Sequence, residues 1–142
     1  MNIKLLNENA KFPTRATEWA AGWDLYASKE CVIEPGETVV VHTGIALEIP
    51  NNLFGGLYPR SGLATKKGLR LANCVGVIDS DYRGEIMVGI YNDSSFVREI
   101  EVGERVAQII FQPYEDIKEF TPVFELSSTV RGSGGFGSTG AK

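Results

Sequence analysis

Apolar and polar residues alternate in several short segments of this chain, and this pattern restricts the fold to one built from strands. Every second residue is apolar from position 45 to 49 and from position 86 to 90, which is the periodicity of a half-buried strand. Short β-branched or apolar runs follow at positions 38–41 and 106–111. No stretch keeps the 3.6-residue period of a helix, although residues 63–67 have room for one helical turn.

Turn-forming residues separate these segments at short intervals. Proline, glycine, asparagine and aspartate cluster at positions 34–37, 50–52, 92–95 and 102–104. Many short strands punctuated in this way predict an all-β sandwich or barrel. The length of 142 residues fits one domain, and a hydrophobic content of 43% is enough to form its core.

The overall charge limits the class of partner. A formal net charge of -4 argues against a general nucleic-acid binder, because that role needs a basic surface. A small phosphorylated ligand remains possible, since it needs only a locally positive pocket. The sequence has no run of about 18 apolar residues and no secretory signal at its start. We therefore expect a cytoplasmic protein, or one of the host cytoplasm if its source is a virus.

The cysteine and histidine content narrows the chemistry further. Cys31 and Cys74 are too few for a disulfide framework or a structural zinc site, and both are expected to be buried thiols. His42 is the single histidine and lies in an apparent strand, away from any serine or cysteine motif. We expect it to be solvated or hydrogen-bonded rather than part of a catalytic triad, and we expect no protein-caged zinc.

The last segment, residues 127–142, is rich in glycine, serine and threonine and cannot bury much apolar surface. Taken alone it predicts a flexible tail. It contains the pattern G-x-G-x-x-G at positions 132–137, but the helix and the acidic residue about 20 positions later that a dinucleotide-binding fold requires do not follow. We expect a β domain over residues 1–126 and treat residues 127–142 as a segment of the same domain.

The run Pro-Arg-Ser-Gly-Leu-Ala at positions 59–64 is a candidate phosphate-binding turn. The backbone N–H groups at Ser61 and Gly62 and the guanidinium of Arg60 could together hold a phosphate. The alternative is an ordinary type II or helix-capping turn. The run is not a Walker loop, because G-x-x-x-x-G-K-[ST] is absent.

A second candidate is the run from Gly76 to Glu85, in which two aspartates flank a serine and are followed by Tyr-Arg-Gly. Residues 76–78 resemble a strand, so Asp79 would end it with its side chain facing a cleft. A carboxylate there could bind a metal or act as a general base. The alternative is an acidic turn whose Asp and Ser side chains cap their own backbone.

Three further segments carry weaker signals. Gln108 follows a turn and points to the opposite face of its strand from Ala107. Trp23 is interpreted as a core aromatic, and Gly22 as a residue needed for backbone geometry. In the tail, a charge, an aromatic face and two hydroxyl groups come from Arg131, Phe136, Ser138 and Thr139.

Each motif is weak alone, but their order is specific. Ala-Gly-x-Asp-Leu, Pro-Arg-Ser-Gly-Leu-Ala, Gly-x-Ile-Asp-x-Asp-Tyr-Arg-Gly, Gly-x-Arg-x-Ala-Gln and Arg-Gly-x-Gly-Gly-Phe-Gly-Ser-Thr-Gly follow one another between Ala21 and Gly140. This series resembles the trimeric dUTPase family. Trp23 stands where the family commonly has tyrosine, and an aromatic ring is retained. Asn73, six residues before Asp79, matches the spacing of bacterial and phage members.

The resemblance implies a jelly-roll-like β-barrel of the β-clip type, assembled as a homotrimer with a flexible C-terminal lid and three sites at subunit interfaces. It implies hydrolysis of dUTP to dUMP and pyrophosphate by water attack on the α-phosphorus. This activity keeps uracil out of DNA and supplies dUMP for dTMP synthesis. Mg²⁺ is the implied cofactor, held mainly by substrate phosphates. Nucleic acid and membrane are not expected as partners.

The resemblance also implies roles for residues. A β-hairpin around residues 71–82 would receive the uracil, and Tyr82 would pack on the deoxyribose. Asp79 and Gln108 would be catalytic, and Asp24 would touch the waters of the metal. The implied substrate-binding residues are Arg60, Ser61, Gly62, Asn73, Gly76, Val77, Ile78, Tyr82, Arg131, Phe136, Gly137, Ser138 and Thr139.

Two alternatives accompany this interpretation. A related dCTP deaminase would need a glutamate near the base in place of the Gly-x-Ile-Asp-x-Asp-Tyr run. A nucleotide-binding regulatory module of the same fold would have lost turnover, but Asp79, Gln108 and the complete tail are all retained.

Overall fold

The computed structural model describes residues 1–138, which form strands and one short helical turn. The strands are β1 (Asn2–Leu5), β2 (Trp23–Tyr26), β3 (Cys31–Ile33), β4 (Thr38–His42), β5 (Ile45–Glu48), β6 (Leu53–Tyr58), β7 (Leu69–Leu71), β8 (Gly76–Ile78), β9 (Met87–Asn92), β10 (Arg98–Ile100) and β11 (Arg105–Pro113). A π-helical turn spans Leu63–Lys67, where the sequence has room for one helical turn. The predicted all-β class is confirmed.

All strand pairs in this part of the chain are antiparallel. The largest sheet has the order β2-β11-β6-β8, and a three-stranded sheet has the order β4-β9-β7. Two smaller ladders join β1 to β5 and β3 to β10. The strands switch between sheets as in a jelly roll. Within residues 1–138 the four sheets remain separate and do not close into one continuous barrel.

The core is one cluster of aliphatic side chains between the sheets. In β9, Val88 and Ile90 are buried, and Met87, which precedes Val88, is exposed, as the alternation predicts. The other alternating segment differs, because Ala46 is buried together with Ile45 and Leu47. Strand β5 pairs edge to edge with β1. Each fully buried aliphatic side chain contributes about 1.5–3 kcal/mol to the free energy of unfolding.

The cysteine prediction is wrong for one of the two thiols. Cys74 is exposed, whereas Cys31 is half-buried. Burial raises the pKa of the Cys31 thiol, and the carboxylates of Glu104 and Glu37 raise it further, so this thiol stays protonated. The histidine prediction is confirmed, since His42 lies at the end of β4 and its Nδ1 is 2.8 Å from the Glu85 carboxylate. Among the residues described, no helix is long and apolar enough to cross a membrane.

Candidate active site

A cluster of two arginines and two other polar residues lies at one end of the large sheet. The Asp24 carboxylate on β2 accepts a hydrogen bond from Arg60 Nε at 2.8 Å and another from Arg105 Nη1 at 3.2 Å. Gln108 on β11 pairs directly with Asp24 and with Tyr58 of β6. Strand pairing therefore brings together three predicted site residues from distant parts of the sequence. We call Asp24, Arg60, Arg105 and Gln108 the arginine cluster.

The Gln108 side chain is held by a hydrogen bond from its carboxamide group, and it fits into the space left by the absence of a side chain at Gly22. Its Nε2 donates to the Pro59 carbonyl at 3.0 Å. A Cβ added to Gly22 would lie 2.3 Å from Gln108 Oε1. Gly22 has no positive φ, so the prediction that it serves backbone geometry is wrong. It is glycine because the Gln108 side chain occupies the space of a Cβ.

The Arg60-Ser61-Gly62 run leads directly into the π-helical turn. The amides of Leu63 and Ala64 both donate to the Arg60 carbonyl, at 3.1 Å each. Gly62 has φ -64° and ψ -36°, the right-handed helical conformation. This excludes the alternative of a type II turn with Gly62 at its third position, where φ must be positive. Ser61 and Gly62 are exposed, and nothing lies within 4 Å of the Cβ position at Gly62.

The segment of residues 71–82, which we call the Asp79 segment, connects two sheets. Strand β7 pairs with β9, and β8 pairs with β6. The two strands of the predicted hairpin are therefore not paired with each other, and that prediction is wrong. At its turn, the Val75 amide donates to the Asn73 carbonyl at 2.6 Å around Cys74, which has φ 62°. A γ-turn with a positive central φ is the rarer and more strained form. Gly76 packs against Leu57, with Asn73 Nδ2 3.3 Å from its Cβ position.

Asp79 and Tyr82 lie just beyond the end of β8. The Asp79 side chain is exposed and lines an open cavity with Val77 and Asp81. The Tyr82 ring folds back along the chain, and its hydroxyl donates to the Glu85 carbonyl at 3.0 Å. A Cβ at Gly84 would lie 2.4 Å from this hydroxyl, so glycine is required there for the position of the ring. Val77 is exposed, and Ile78 is half-buried against the core.

The arginine cluster and Asp79 lie on the same face of the large sheet but at opposite ends of it. Gln108 is level with Tyr58, whereas Ile78 is level with Gly55, which places Asp79 at the level of Phe54. With a rise of about 3.3 Å per residue and about 4.8 Å between strands, the Cα atoms of Gln108 and Asp79 are about 16 Å apart. Gln108 Nε2 is hydrogen-bonded to the Pro59 carbonyl, beyond the end of β6 that is farther from Asp79, so the two side chains do not form one compact group within the chain.

The described part of the tail, residues 127–138, lies away from the body of the protein. Its hydrogen bonds are local, such as Arg131 Nε to the Gly134 carbonyl at 2.9 Å. Phe136 has a fully exposed ring and φ 46°, and Gly137 has φ 91°. Ser138 donates its amide to Gly135 at 3.0 Å. The predicted site residue Thr139 lies outside the described residues.

A metal site built from protein ligands alone is not found in this range. No group of three or more His, Cys, Asp or Glu side chains in residues 1–138 is arranged to hold an ion. Asp24 offers one buried carboxylate whose two oxygens each accept a single arginine bond, which leaves lone pairs for a metal-bound water. This donor set fits Mg²⁺, which keeps several waters and binds mainly phosphate oxygens.

Three residues with structural roles at the site were not singled out in the sequence. Arg105 lies inside the Gly-x-Arg-x-Ala-Gln motif, but only the fold shows that it shares Asp24 with Arg60. Gly84 and Glu85 are the last two residues of the candidate run from Gly76 to Glu85, but no role follows for them from the sequence, and in the structure they position Tyr82. Their position within the run was the one available signal, because the Glu85 carboxylate contacts residues more than 40 positions away.

Comparison with known proteins agrees with this geometry. The sequence model of the dUTPase family matches residues 8–140. Deoxyuridine 5'-triphosphate nucleotidohydrolase of Desulfitobacterium hafniense is 52% identical over 133 residues, covering 92% of this chain and 87% of the relative. The enzyme of the same name from Nautilia profundicola is 46% identical over 140 residues, covering 99% and 98%.

Solved structures give the same result. The dUTPase of Staphylococcus bacteriophage 80alpha with dUPNHPP has a TM-score of 0.91 and 32% identity, covering 99% of this chain and 98% of that one. A dUTPase of phage phi11 of S. aureus, with a TM-score of 0.82 and 27% identity over 89% and 98% of the two chains, is described with a structural Mg(II) ion. These relatives do not favour a deaminase or an inactive regulatory module. The chain therefore belongs to the dUTPase family, the hydrolases that convert dUTP to dUMP.

Proposed function

We propose that this protein hydrolyses dUTP by attack of a water molecule on the α-phosphorus, in a homotrimer whose active sites combine residues of different subunits. The observation that carries this proposal is the strand register, which places Asp79 and Gln108 at opposite ends of the large sheet, about 16 Å apart between Cα atoms for ideal sheet spacings. Both have roles at the same phosphorus in the proposed reaction. A neighbouring copy can bring its arginine cluster to the Asp79 of the first, which one chain cannot do alone.

Asp79 is the proposed general base. Its carboxylate is exposed in an open cavity, so a water molecule can reach it. It accepts the proton of that water as the oxygen attacks the α-phosphorus, and pyrophosphate leaves. Because phosphoryl transfer requires little covalent work from the protein, holding the water in line matters most. Gln108 of another subunit orients the water and a phosphate oxygen.

The arginine cluster binds the triphosphate. Arg60 can turn its guanidinium from Asp24 to the phosphates, while Arg105 continues to pair with the buried carboxylate. The exposed Ser61 and Gly62 present their backbone to the same phosphates. Mg²⁺, when bound, neutralises charge on the phosphate oxygens, and Asp24 contacts its water shell.

The Asp79 segment binds the nucleoside. The backbone of Gly76, Val77 and Ile78 and the side chain of Asn73 read the uracil edge, so that the edge of cytosine would leave buried groups unpaired. The close packing of Gly76 against Leu57 leaves no space for a side chain there. Tyr82 packs on the deoxyribose and excludes a 2'-hydroxyl.

The glycine-rich segment 127–142 acts as a lid on the same domain, whose body is residues 1–126. Phe136 stacks on uracil, and its fully exposed ring is available for this contact. The γ-phosphate is bound by Arg131, Gly137, Ser138 and Thr139. Glycines allow backbone N–H groups to approach a phosphate closely and permit the lid to open for product release.

A subunit-mixing experiment tests the shared site. Asp79→Asn chains and Gln108→Ala chains are unfolded together, refolded and assayed for pyrophosphate release from dUTP. With random mixing, about a quarter of the sites combine an intact Asp79 with an intact Gln108 from a neighbour. Activity well above that of either variant alone is expected. No recovery, with mixed trimers present by native mass spectrometry, would overturn the proposal.

A further inference from the structure

We infer that His42 and Glu85 are positioning residues for Tyr82 and so contribute to the selection of deoxyribonucleotides over ribonucleotides. The Glu85 carboxylate contacts His42 at the end of β4 and Gly44 in the connection between β4 and β5. Its Oε2 lies 2.8 Å from His42 Nδ1, and its Oε1 accepts the Gly44 amide at 2.7 Å. We call these two contacts the Glu85 latch. The inference rests on the proposed contact of Tyr82 with the sugar.

Glu85 contacts Tyr82 through its backbone and the partners of the Glu85 latch through its side chain. The carbonyl of Glu85 accepts the Tyr82 hydroxyl at 3.0 Å, while its carboxylate is bound to His42 and Gly44. The ring lies in the space that a Cβ of Gly84 would fill, so it has no second support from a side chain there. A displacement of the Glu85 backbone is therefore transmitted to the far end of the Tyr82 ring.

The next residue shows why the latch matters for that backbone. The Ile86 amide donates to Ile45 at 2.8 Å, and the Ile86 carbonyl accepts the Thr43 hydroxyl, so the chain is fixed from Ile86 onward. On the other side, Asp81, Tyr82 and Arg83 are exposed. The Glu85 carbonyl shares a planar peptide unit with the Ile86 amide, so the bond to Ile45 holds it from one side, and the Glu85 latch adds a restraint through the Glu85 side chain.

Partial burial strengthens the hydrogen bonds of the Glu85 latch, although the side chains that form it remain partly in contact with water. The side chains of His42 and Glu85 are 36% and 21% exposed, and Lys29 adds a positive charge near the carboxylate. His42 lies on β4 in the three-stranded sheet, whereas Tyr82 follows β8 of the large sheet. The latch thus links the sugar-binding tyrosine to a strand that provides no residue of the proposed active site.

The test compares the ratio of kcat/KM for dUTP to that for UTP in four proteins. His42→Ala removes the donor to Glu85, and this ratio should fall about fivefold, the factor that corresponds to one ordinary hydrogen bond. His42→Asn places an amide N–H near the position of Nδ1 and should recover the ratio to within about twofold of the parent. Arg98→Gln, which loses a bond to Ser94 away from Tyr82, is the matched control and should leave the ratio unchanged.

A double-mutant cycle separates positioning from general destabilisation. Tyr82→Phe removes the hydroxyl that contacts the Glu85 carbonyl, so His42→Ala should lower the ratio much less in that background. If His42→Ala does not fold, His42→Leu replaces it, because leucine also lacks a donor. An unchanged ratio in folded His42→Ala or His42→Leu protein overturns the inference. A parent protein that does not discriminate UTP from dUTP overturns the proposed role of Tyr82 instead.

Discussion

Single residues at the site are constrained by contacts that a substitution of similar size would break. Asp24 is buried between two arginines, Gln108 fills the space beside Gly22, and Tyr82 fills the space beside Gly84. None of these contacts contributes much to the core, which is formed by aliphatic side chains elsewhere. Substitutions here are therefore expected to change turnover more than the melting temperature.

Asp79→Asn tests the proposed base. The change keeps the size of the side chain but removes its basicity, so kcat should fall by roughly 10²–10⁴-fold. Binding of a non-hydrolysable dUTP analogue, measured by calorimetry, should stay within about tenfold of the parent, or about 1.4 kcal/mol. Asp81→Asn makes the same change of charge in the same cavity and is the control. Equal losses in the two variants would contradict the assignment of Asp79.

Gly22→Ala tests the position of Gln108. The new Cβ would lie 2.3 Å from Gln108 Oε1, so the carboxamide must move and lose its bond to Pro59. Because a misplacement of about 1 Å can cost about 100-fold, we expect kcat to fall by roughly 10–100-fold. Gly89→Ala on β9 meets only an ordinary contact at 3.7 Å and serves as the control. A Gly22→Ala enzyme with the parent kcat would show that Gln108 has no role in turnover.

The Glu85 carboxylate makes stability depend on acid pH. Partial burial raises its pKa, but the His42 and Gly44 hydrogen bonds and the charges of His42 and Lys29 outweigh this, so its pKa is lowered overall. A lowered pKa stabilises the folded state above the unfolded-state value of about 4.3, and this stabilisation is lost as pH falls through the folded value. The melting temperature of Glu85→Gln should be below that of the parent at pH 6 and converge with it toward pH 3. A difference that grows in acid would contradict this sign.

At the scale of elements, the strands make up the folded body of the protein, and the tail is not part of that body. Strand β11 ends at Pro113, and residues 127–138 make hydrogen bonds only with one another. The Asp79 segment and the run after β6 are connections between strands, positioned by rigid sheets. The proposed site thus combines residues of strands β2, β8 and β11 with residues of the connections and the tail, and binding residues often lie on such connections.

Deletion of residues 130–142 tests the tail as a lid. Because the described part of this segment buries little apolar area, the melting temperature should stay nearly the same. Activity should nevertheless collapse, since Arg131 and the tail amides would no longer exclude water and neutralise the γ-phosphate. Full activity of the truncated chain would leave the segment as a tail without function.

Phe136→Trp gives a direct measurement of lid closure in the full chain. An indole at this exposed position should change its fluorescence when dUMP or a dUTP analogue is added, and more strongly with the triphosphate. Trp19 and Trp23 contribute background, so the parent protein is the control. An unchanged signal at saturating ligand would argue against stacking of residue 136 on the base.

At the scale of the whole molecule, the aliphatic core lies between the sheets, whereas the segment after β11 exposes its large apolar side chains. Phe120, Phe124, Leu126 and Val130 are between 88% and 111% exposed. Apolar side chains exposed along one segment mark a surface for protein association. The proposed homotrimer, which could use this surface, predicts a mass of about three times 15.5 kDa by light scattering. A stable and active monomer at working concentrations would contradict the shared site.

The sequence alone determined the all-β class, the candidate residues and their family, because these depend on local periodicity, turn residues and the order of motifs. Asp79, Tyr82 and Gln108 were identified from their neighbours in the chain. The interpretation of Gly22 and the paired hairpin at residues 71–82 were wrong for the same reason. Each depends on which strand lies beside the segment, and the local sequence does not contain that information.

Only the tertiary structure decided how these residues are grouped. Strand register places Gln108 beside Asp24 and Arg60, and it places Asp79 at the other end of the same sheet. Register depends on which apolar faces pack together over the whole core, so it joins residues that are far apart in the chain. The pairing of Arg105 with Asp24 and of His42 with Glu85 spans 81 and 43 residues, and such contacts form only once the sheets have assembled.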